Sequence, residues 1–329
     1  MTDLKSPSLK TLAQTRKITM LETAFGPEIM RALEDETIIE IIVNPDGKLW
    51  LERQKAGRIF TGHILAAANR ERIIRLVASH VEQGVDKDCP IISAELPKSG
   101  ERFEGLLPPI VTAPTFVIRK ACAQILTLSD YVAAQTMLSW QKQSLIEAIY
   151  HHLNILVVGG TGSGKTTLAN ALLQEMAKDN ERIILIEDTR ELRCDVEDLL
   201  CLKTRPNVAS LSDLVRSTLR LRPDRIIIGE VRGGEALDML KAWNTGHPGG
   251  IATLHANSAH GALYRLEQLI QEVVVHVPQR LIADAIDLII FIEGRGDARR
   301  IKTLAQVTGF KNGDYSLAPL TPQNPIFNF

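Results

Sequence analysis

The chain has 329 residues and a formal net charge of −1, with 45% hydrophobic and 23% charged residues, an ordinary composition for a globular protein of up to two domains. The near-neutral charge counts against a globally basic nucleic-acid-binding protein, although a local basic patch stays open. The four cysteines contain no C-x-x-C pair, which counts against a zinc ribbon and a disulfide framework. No apolar run approaches the ~20 residues that span a bilayer, and the polar N-terminus lacks the apolar core of a signal peptide.

The first 120 residues predict a polar leader followed by a small mixed domain. Residues 1–17 are expected to be a flexible leader, and residues 18–120 alternate between helical and strand spacing, which predicts an α+β domain. A strong turn at Asn44-Pro45-Asp46-Gly47 separates two strands. The predicted elements are a helix opened by proline at Pro27–Leu33, a helix at Arg70–Val81, and strands at Ile38–Val43, Lys48–Arg53, Glu101–Leu107 and Thr115–Lys120.

Residues 121–139 are expected to form a linker, and residues 140–329 a second domain in which short apolar strands alternate with helices. This alternation predicts a largely parallel sheet covered on both faces. Ligands of such sheets bind at the carboxyl ends of the strands. The predicted strands are Leu153–Val158, Ile183–Ile186, Arg225–Ile228, Ile251–Leu254, Leu288–Ile292 and Ile301–Val307, and the predicted helices are Trp140–His152, Thr167–Lys178, Leu211–Leu221, Glu235–Trp243 and His260–Gln271.

A phosphate-binding motif directly follows the strand at Leu153–Val158. The run Gly159-Gly160-Thr161-Gly162-Ser163-Gly164-Lys165-Thr166 fits G-x-x-x-x-G-K-[ST] at every required position, and Thr167 continues into a helix. Glycines let backbone N–H groups turn toward an anionic phosphate chain, and the helix N-terminus adds its positive dipole. Lys165 is expected to reach the β- and γ-phosphates, and the Thr166 hydroxyl is expected to bind Mg²⁺. An ordinary glycine-rich turn is the alternative that this context disfavours.

Acidic residues follow two of the predicted strands. Glu187 and Asp188 follow Ile183–Ile186, and Glu230 follows the strand that starts at Arg225. In a parallel sheet these strand ends open onto the same edge as the phosphate loop. A carboxylate there can hold Mg²⁺ or polarise an attacking water, whereas the alternative is an acid that is simply solvated.

A histidine ends a further strand of the same sheet. The Gly/Pro turn in Thr245–Gly250 leads into a short strand that ends at His255. A histidine at this edge could donate to a γ-phosphate and respond to its loss. The alternative is a structural histidine beside a capped turn.

Four ordered motifs resemble those of the secretion ATPases of type II and type IV systems, and most closely the TrbB-type conjugal-transfer ATPases. The phosphate loop is followed by Ile186-Glu187-Asp188-Thr189, then by Leu219–Arg225 running into Gly229-Glu230-Val231-Arg232, and then by Thr-Gly-His-Pro-Gly with Thr-Leu-His-Ala-Asn. The resemblance covers roughly residues 18–315. The four-cysteine zinc module that type II assembly ATPases usually carry is not formed by Cys194 and Cys201, which separates the chain from that subfamily.

The resemblance implies roles for individual residues. Lys165 and Thr166 would be the phosphate-loop pair, Glu187 part of the acidic box, Glu230 the Walker B residue that activates water and helps hold the metal, and His255 part of the histidine box. It also implies a RecA-like ATPase domain, a homohexameric ring and a nucleotide held between the two domains of a subunit. Four arginines would then approach the phosphates: Arg102 and Arg119 of the N-terminal domain, and Arg220 and Arg222 before the Walker B strand. The residues alone leave these arginines as solvated surface groups.

The sequence thus predicts an ATPase that uses ATP and Mg²⁺ and drives a type IV secretion or conjugative transfer apparatus. It is expected in the cytoplasm, peripheral to the inner membrane, with inner-membrane components of that apparatus as partners. A pilus-retraction motor, a RecA-like nucleic-acid translocase and a non-motor nucleotide kinase remain alternatives, and direct nucleic-acid binding stays open. The base could be Glu187 or Glu230.

Overall fold

The computed structural model describes residues 9–54, 56–120, 125–205, 207–324 and 326 of the chain, without the side chains of 9–14 and 297. It divides into two compact units, Met1–Ala123 and Gln124–Phe329. Among the described residues, no helix combines the length and apolar character needed to cross a membrane.

In the first unit, strands β1 to β6 form an antiparallel sheet in the order β3-β2-β1-β6-β5-β4. Buried side chains of helices α1 and α2, such as Ile29 and Ile73, pack against Ile41, Phe103 and Ile118 of the sheet. Helix α1 bends at Gly26, whose φ of 72° interrupts the helix just before Pro27. The elements are α1 (Leu9–Glu34), β1 (Ile38–Val43), β2 (Lys48–Arg53), β3 (Gly57–Ile64), α2 (Ala67–His80), β4 (Ile91–Glu95), β5 (Arg102–Leu106) and β6 (Thr115–Arg119).

The second unit is built on one sheet of eight described strands with helices between them. Its elements are α3 (Leu128–Ala133), α4 (Ser139–Tyr150), β7 (Ile155–Gly159), α5 (Lys165–Met176), β8 (Ile183–Glu187), β9 (Leu199–Lys203), α6 (Leu211–Thr218), β10 (Arg225–Val231), α7 (Glu235–Asn244), β11 (Ile251–His255), α8 (Ala259–Ile270), α9 (Gln279–Ala285), β12 (Leu288–Glu293), a 3₁₀ turn at Gly296–Ala298, β13 (Arg300–Lys311) and β14 (Asp314–Pro319).

The order of this sheet is β14-β13-β12-β7-β11-β10-β8-β9. The six strands from β12 to β9 are parallel, and β13 and β14 add antiparallel at one end. The central strands are buried over their whole length, because apolar side chains cover both faces. Each such fully buried Ile, Leu or Val contributes about 2 kcal/mol. The carboxyl ends of β7, β11, β10 and β8 therefore lie side by side at one edge.

The structure differs from the expected leader and linker. Residues 9–17 belong to α1, where Leu, Lys, Ala, Gln and Arg favour a helix, and residues 1–8 lie outside the described part. Within the expected linker, residues 121–124 also lie outside the described part, but Leu128–Ala133 is a helix. Its capping box joins Thr127 and Asp130, and Leu128 and Tyr131 are buried in the core of the second unit.

Candidate phosphate-binding edge of the second unit

The phosphate loop occupies the turn between β7 and α5. Gly162 and Gly164 have φ angles of 75° and 95°, which favour glycine because side chains with a Cβ are strained there. At Gly159 a Cβ would lie only 2.3 Å from the Ile292 carbonyl oxygen, so close packing against β12 also requires glycine. The first N–H groups of α5 have no acceptor within the helix. The loop therefore presents backbone donors and a helix dipole to an anion.

Lys165 is the first residue of α5 and is only 7% exposed. Its Nζ donates to the carbonyl oxygen of Gly160 at 3.3 Å. The same Nζ lies 3.2 Å from Nδ1 and 3.3 Å from Nε2 of His255. His255 ends β11 and pairs in register with Gly159, which explains how it reaches the phosphate loop.

Glu230 approaches the same group from β10. Its Oε1 lies 2.7 Å from Nε2 of His255, and its Oε2 accepts hydrogen bonds from Nε (2.9 Å) and Nη2 of Arg232. Burial lowers the pKa of Arg232, but the hydrogen bond and charge of Glu230, together with the charges of Asp188 and Glu191, outweigh this effect, so the pKa of Arg232 is raised. Lys165, His255 and Glu230 thus form one connected group of charged and polar side chains.

Glu187 lies at the end of β8 but is bound differently. It is 5% exposed, and its Oε1 accepts backbone hydrogen bonds from Glu191 (3.0 Å) and Leu192 (2.9 Å). A Cβ at Gly229 would meet Glu187 Cγ at 2.9 Å, so β10 packs closely on it. Asp188 instead accepts from Thr204 Oγ1 at 2.8 Å and lies 3.7 Å from Nη1 of Arg232. Glu187 therefore holds the turn after β8, whereas Glu230 faces His255.

The first unit brings the two predicted N-terminal arginines together. Arg102 of β5 and Arg119 of β6 are directly opposite each other in the antiparallel register. Arg119 Nε lies 3.8 Å from Glu40 Oε1. Their next cross-strand neighbours are Glu95 and Glu40, so the two arginines stand between two acidic side chains.

Arg220 and Arg222 lie away from the phosphate loop of their own subunit. Both are exposed and precede β10, whereas Glu230 is near its other end. A strand of seven residues is roughly 20 Å long, so these arginines are at the opposite edge of the sheet from the phosphate loop. His247 lies at that opposite edge too, with its Nδ1 3.1 Å from the Pro223 carbonyl oxygen.

The residues at this edge have the chemistry to bind both a nucleotide and a metal ion. The metal ion would be held through side-chain oxygen atoms. Ser163 Oγ is buried in the loop with no hydrogen-bond partner among the described residues, as expected for a loop that closes around a further polar group. Thr166 is half-buried in the first turn of α5. Its hydroxyl and the Glu230 carboxylate are the kind of ligands that Mg²⁺ combines with substrate phosphates. The described residues contain no group of three or more His, Cys, Asp or Glu that could hold a metal by themselves.

Three further arginines at this edge were missed by the sequence reasoning. Arg232 binds Glu230, while Arg295 and Arg299 lie against the phosphate loop from the segment after β12. Arg232 stands within the motif Gly229-Glu230-Val231-Arg232, and its position there could have identified it as a site residue. Arg295 and Arg299 belong to no motif, and only the pairing of β12 with β7 brings them to the loop.

A family model described as Type II/IV secretion system protein matches residues 26–293. The chain belongs to this family. It is 45% identical to Conjugal transfer protein TrbB of Rhizobium radiobacter over 302 residues, which are 91% of this chain and 93% of that protein. It is 35% identical to Type IV secretion system protein PtlH of Bordetella pertussis, over 82% of this chain and 90% of that protein. The resemblance drawn from the motifs is confirmed.

Two solved structures share the fold. The Legionella pneumophila ATPase DotB has a TM-score of 0.58 at 20% identity and covers 91% of this chain, with 81% of DotB matched. The pilus retraction motor PilT with bound ADP has a TM-score of 0.59 at 20% identity, over 89% of this chain and 81% of PilT. Both likenesses are consistent with an α/β fold of the P-loop ATPase type.

Proposed function

We propose that this protein is a Mg²⁺-dependent ATPase that drives a type IV secretion or conjugative transfer apparatus, with a RecA-like second domain as its catalytic part. The observation that carries the proposal is the connected group of Lys165, His255 and Glu230 beside a phosphate loop. The family of the chain and its similarity to TrbB-named conjugal transfer proteins support the choice of apparatus.

The phosphate-binding part of the mechanism follows from the loop. Backbone N–H groups at the start of α5 and the Lys165 ammonium neutralise the β- and γ-phosphates as negative charge develops. The Lys165 ammonium is already near its acceptor Gly160 and is largely buried, so little reorganisation is needed. Thr166 and Glu230 would hold Mg²⁺, which supplies charge neutralisation at the phosphate oxygens.

The catalytic part follows from Glu230. Its carboxylate contacts His255 of the Lys165–His255 pair, which makes it the candidate base or water-positioning group. Arg232 fixes this carboxylate through its hydrogen bonds. His255 touches both Glu230 and Lys165, so a γ-phosphate arriving between them would replace these contacts and be sensed by the imidazole.

The assembly and the location belong to the same proposal. We infer a homohexamer in which Arg102 and Arg119 of the first unit contribute charge to a nucleotide, and in which Arg220 and Arg222 serve a neighbouring subunit's site. Closure of the first domain over the nucleotide would convert hydrolysis into ring motion. The ring would act at the cytoplasmic face of the inner membrane, bound to membrane components of the apparatus.

The test is ATP hydrolysis by the purified full chain and by Lys165→Ala. The variant removes a phosphate-binding charge without opening the apolar core, so we expect roughly a 100-fold loss of turnover and an unchanged melting temperature. Near-normal turnover in a folded Lys165→Ala protein would overturn the ATPase assignment at this loop. Stimulation of wild-type turnover by DNA, lost steeply with added salt, would instead favour a nucleic-acid translocase.

A further inference from the structure

The segment after β12 forms a tight, fixed turn beside the phosphate loop. Gly294 has a φ of 85°, and a Cβ there would lie 2.2 Å from the Ala298 carbonyl oxygen. The Ala298 N–H donates to the Arg295 carbonyl at 3.1 Å, and the Arg299 N–H donates to that of Gly296 at 3.2 Å. These bonds fix the positions from which Arg295 and Arg299 extend.

Both arginines lie against the left-handed glycines of the phosphate loop. Arg295 is exposed, its Nη2 donates to the Thr161 carbonyl at 3.2 Å, and a Cβ on Gly162 would be 3.5 Å from its Nε. A Cβ on Gly164 would be 2.9 Å from Arg299 Nε. The half-buried Arg299 therefore supports the loop, while the tethered Arg295 guanidinium keeps a surface open to solvent.

The strand order separates these arginines from the candidate catalytic groups. Strand β7 lies between β12 and β11, so Arg295 is on one flank of the phosphate loop and His255 and Glu230 are on the other. A nucleotide whose terminal phosphate lies beside His255 and Glu230 must cross the N-terminus of α5. Its nucleoside end then emerges on the flank of Arg295.

We propose that the turn from Gly294 to Arg299 receives the nucleoside end of the bound nucleotide, with the planar guanidinium of Arg295 stacked on the base. This inference rests on the proposed function and adds a second part to the site. An arginine over an aromatic ring gains both cation–π and stacking energy, and tethering to Thr161 reduces the ordering cost. The phosphates would be bound by the loop and Lys165 without Arg295.

The experiment compares two ligands by equilibrium calorimetry on the full chain with Mg²⁺: ADP, which has a base, and inorganic tripolyphosphate, which has none. Arg295→Ala should weaken ADP binding about tenfold and leave tripolyphosphate binding within about twofold. Arg295→Lys keeps the charge but lacks the planar guanidinium, so its affinities for the two ligands should resemble those of the alanine variant. Arg265→Ala, at an exposed arginine of α8, is the matched control, and thermal melting checks that each variant is folded.

Two outcomes would overturn this inference and leave the proposed function intact. If both Arg295 variants bind ADP with wild-type affinity, Arg295 does not contact the base. An equal loss of both ligands in Arg295→Ala, rescued in Arg295→Lys, would assign the arginine to the phosphates. If the wild-type chain binds neither ligand, or binds them equally well without Lys165, the proposed function fails as well.

Discussion

The surroundings of Glu187 and Glu230 separate two acids that the sequence could not distinguish. Glu187 accepts two backbone N–H bonds and closes the turn after β8, whereas Glu230 contacts His255. A carboxylate that is committed to a turn is poorly placed to act as a base. We therefore propose Glu230 as the catalytic carboxylate and a supporting role for Glu187.

Glu187→Gln should accordingly reduce stability more than it reduces chemistry. Glutamine keeps an acceptor oxygen but loses the charge, so the two backbone hydrogen bonds weaken and the free energy of unfolding should fall by about 1 kcal/mol. Turnover should stay within about tenfold of wild type. Denaturant unfolding and ATP hydrolysis of the same preparation test this. Loss of turnover without loss of stability would make Glu187 the base.

Arg232 should act as a positioning residue for Glu230. Arg232→Ala removes the hydrogen bonds that fix the carboxylate, so kcat should fall about tenfold while KM changes little. Arg232→Lys should recover only part of kcat, since an ammonium lacks the guanidinium fork. Arg216→Ala, which breaks an exposed pair with Asp238, is the control. An increase in KM at constant kcat would contradict this role and indicate ground-state binding.

At the scale of elements, the central strands could be predicted from sequence and the edge strands could not. Strands β1 and β2 have the predicted bounds, because apolar residues and a strong turn define both. The missed strands are the four sheet edges of the described residues: β3, β4, β9 and β14. An edge strand pairs on one side and stays partly exposed, so it needs neither a clear period nor an apolar run. Short helix α9 was missed for a similar lack of periodicity.

The candidate site also contains residues that the sequence could predict and residues that it could not. Lys165, Glu230 and His255 stand in motifs whose chemistry fixes residue type and spacing, so the sequence predicted that they would meet. Arg295 and Arg299 are isolated arginines, and their role depends on β12 lying next to β7. Arg220 and Arg222 were assigned from the family resemblance alone, and the length of β10 separates them from Glu230 within one subunit.

A half-buried carboxylate ties three parallel strands together at the other edge of the sheet. Asp287 Oδ2 accepts from the backbone N–H of Asn154 at 2.8 Å, and Asn154 Oδ1 accepts from Gly250 at 3.0 Å. Burial raises the pKa of Asp287, and the Asn154 hydrogen bond only partly offsets this. The folded state thus binds this proton more tightly than the unfolded chain. Stability from this group is greatest below the ordinary Asp pKa of about 3.9 and is lost as the pH rises through the folded value.

Asp287→Asn should remove that pH dependence. Asparagine keeps an acceptor for Asn154 and carries no charge to desolvate, so stability at neutral pH should be equal or higher by up to about 1 kcal/mol. Denaturant unfolding from acid to neutral pH would measure it, with exposed Asp284→Asn of α9 as the control. A loss of stability at neutral pH, absent at acid pH, would mean that the charged hydrogen bond outweighs desolvation.

At the scale of the whole molecule, the proposed ring makes two joint predictions. Light scattering with an ATP analogue and Mg²⁺ should give a hexamer. Arg102→Ala and Arg119→Ala should each lower turnover at least about tenfold with little change in thermal stability, since they remove charge from phosphates rather than from a core. Arg58→Ala, on strand β3 of the same unit, should leave turnover unchanged. A monomer at every concentration with full turnover, or full activity in a fragment starting near residue 140, would contradict the ring.

The most direct measurement is the identity of the nucleotide retained by Glu230→Gln. The substitution keeps size and polarity but removes the base and its charge. After mixing with Mg²⁺ and ATP and rapid removal of free nucleotide, wild type should carry ADP and Glu230→Gln should carry intact ATP at similar occupancy. Turnover of the variant should fall at least roughly 100-fold. A variant that still forms ADP at the wild-type rate, or that retains no nucleotide at all, would contradict catalysis by Glu230 at this edge.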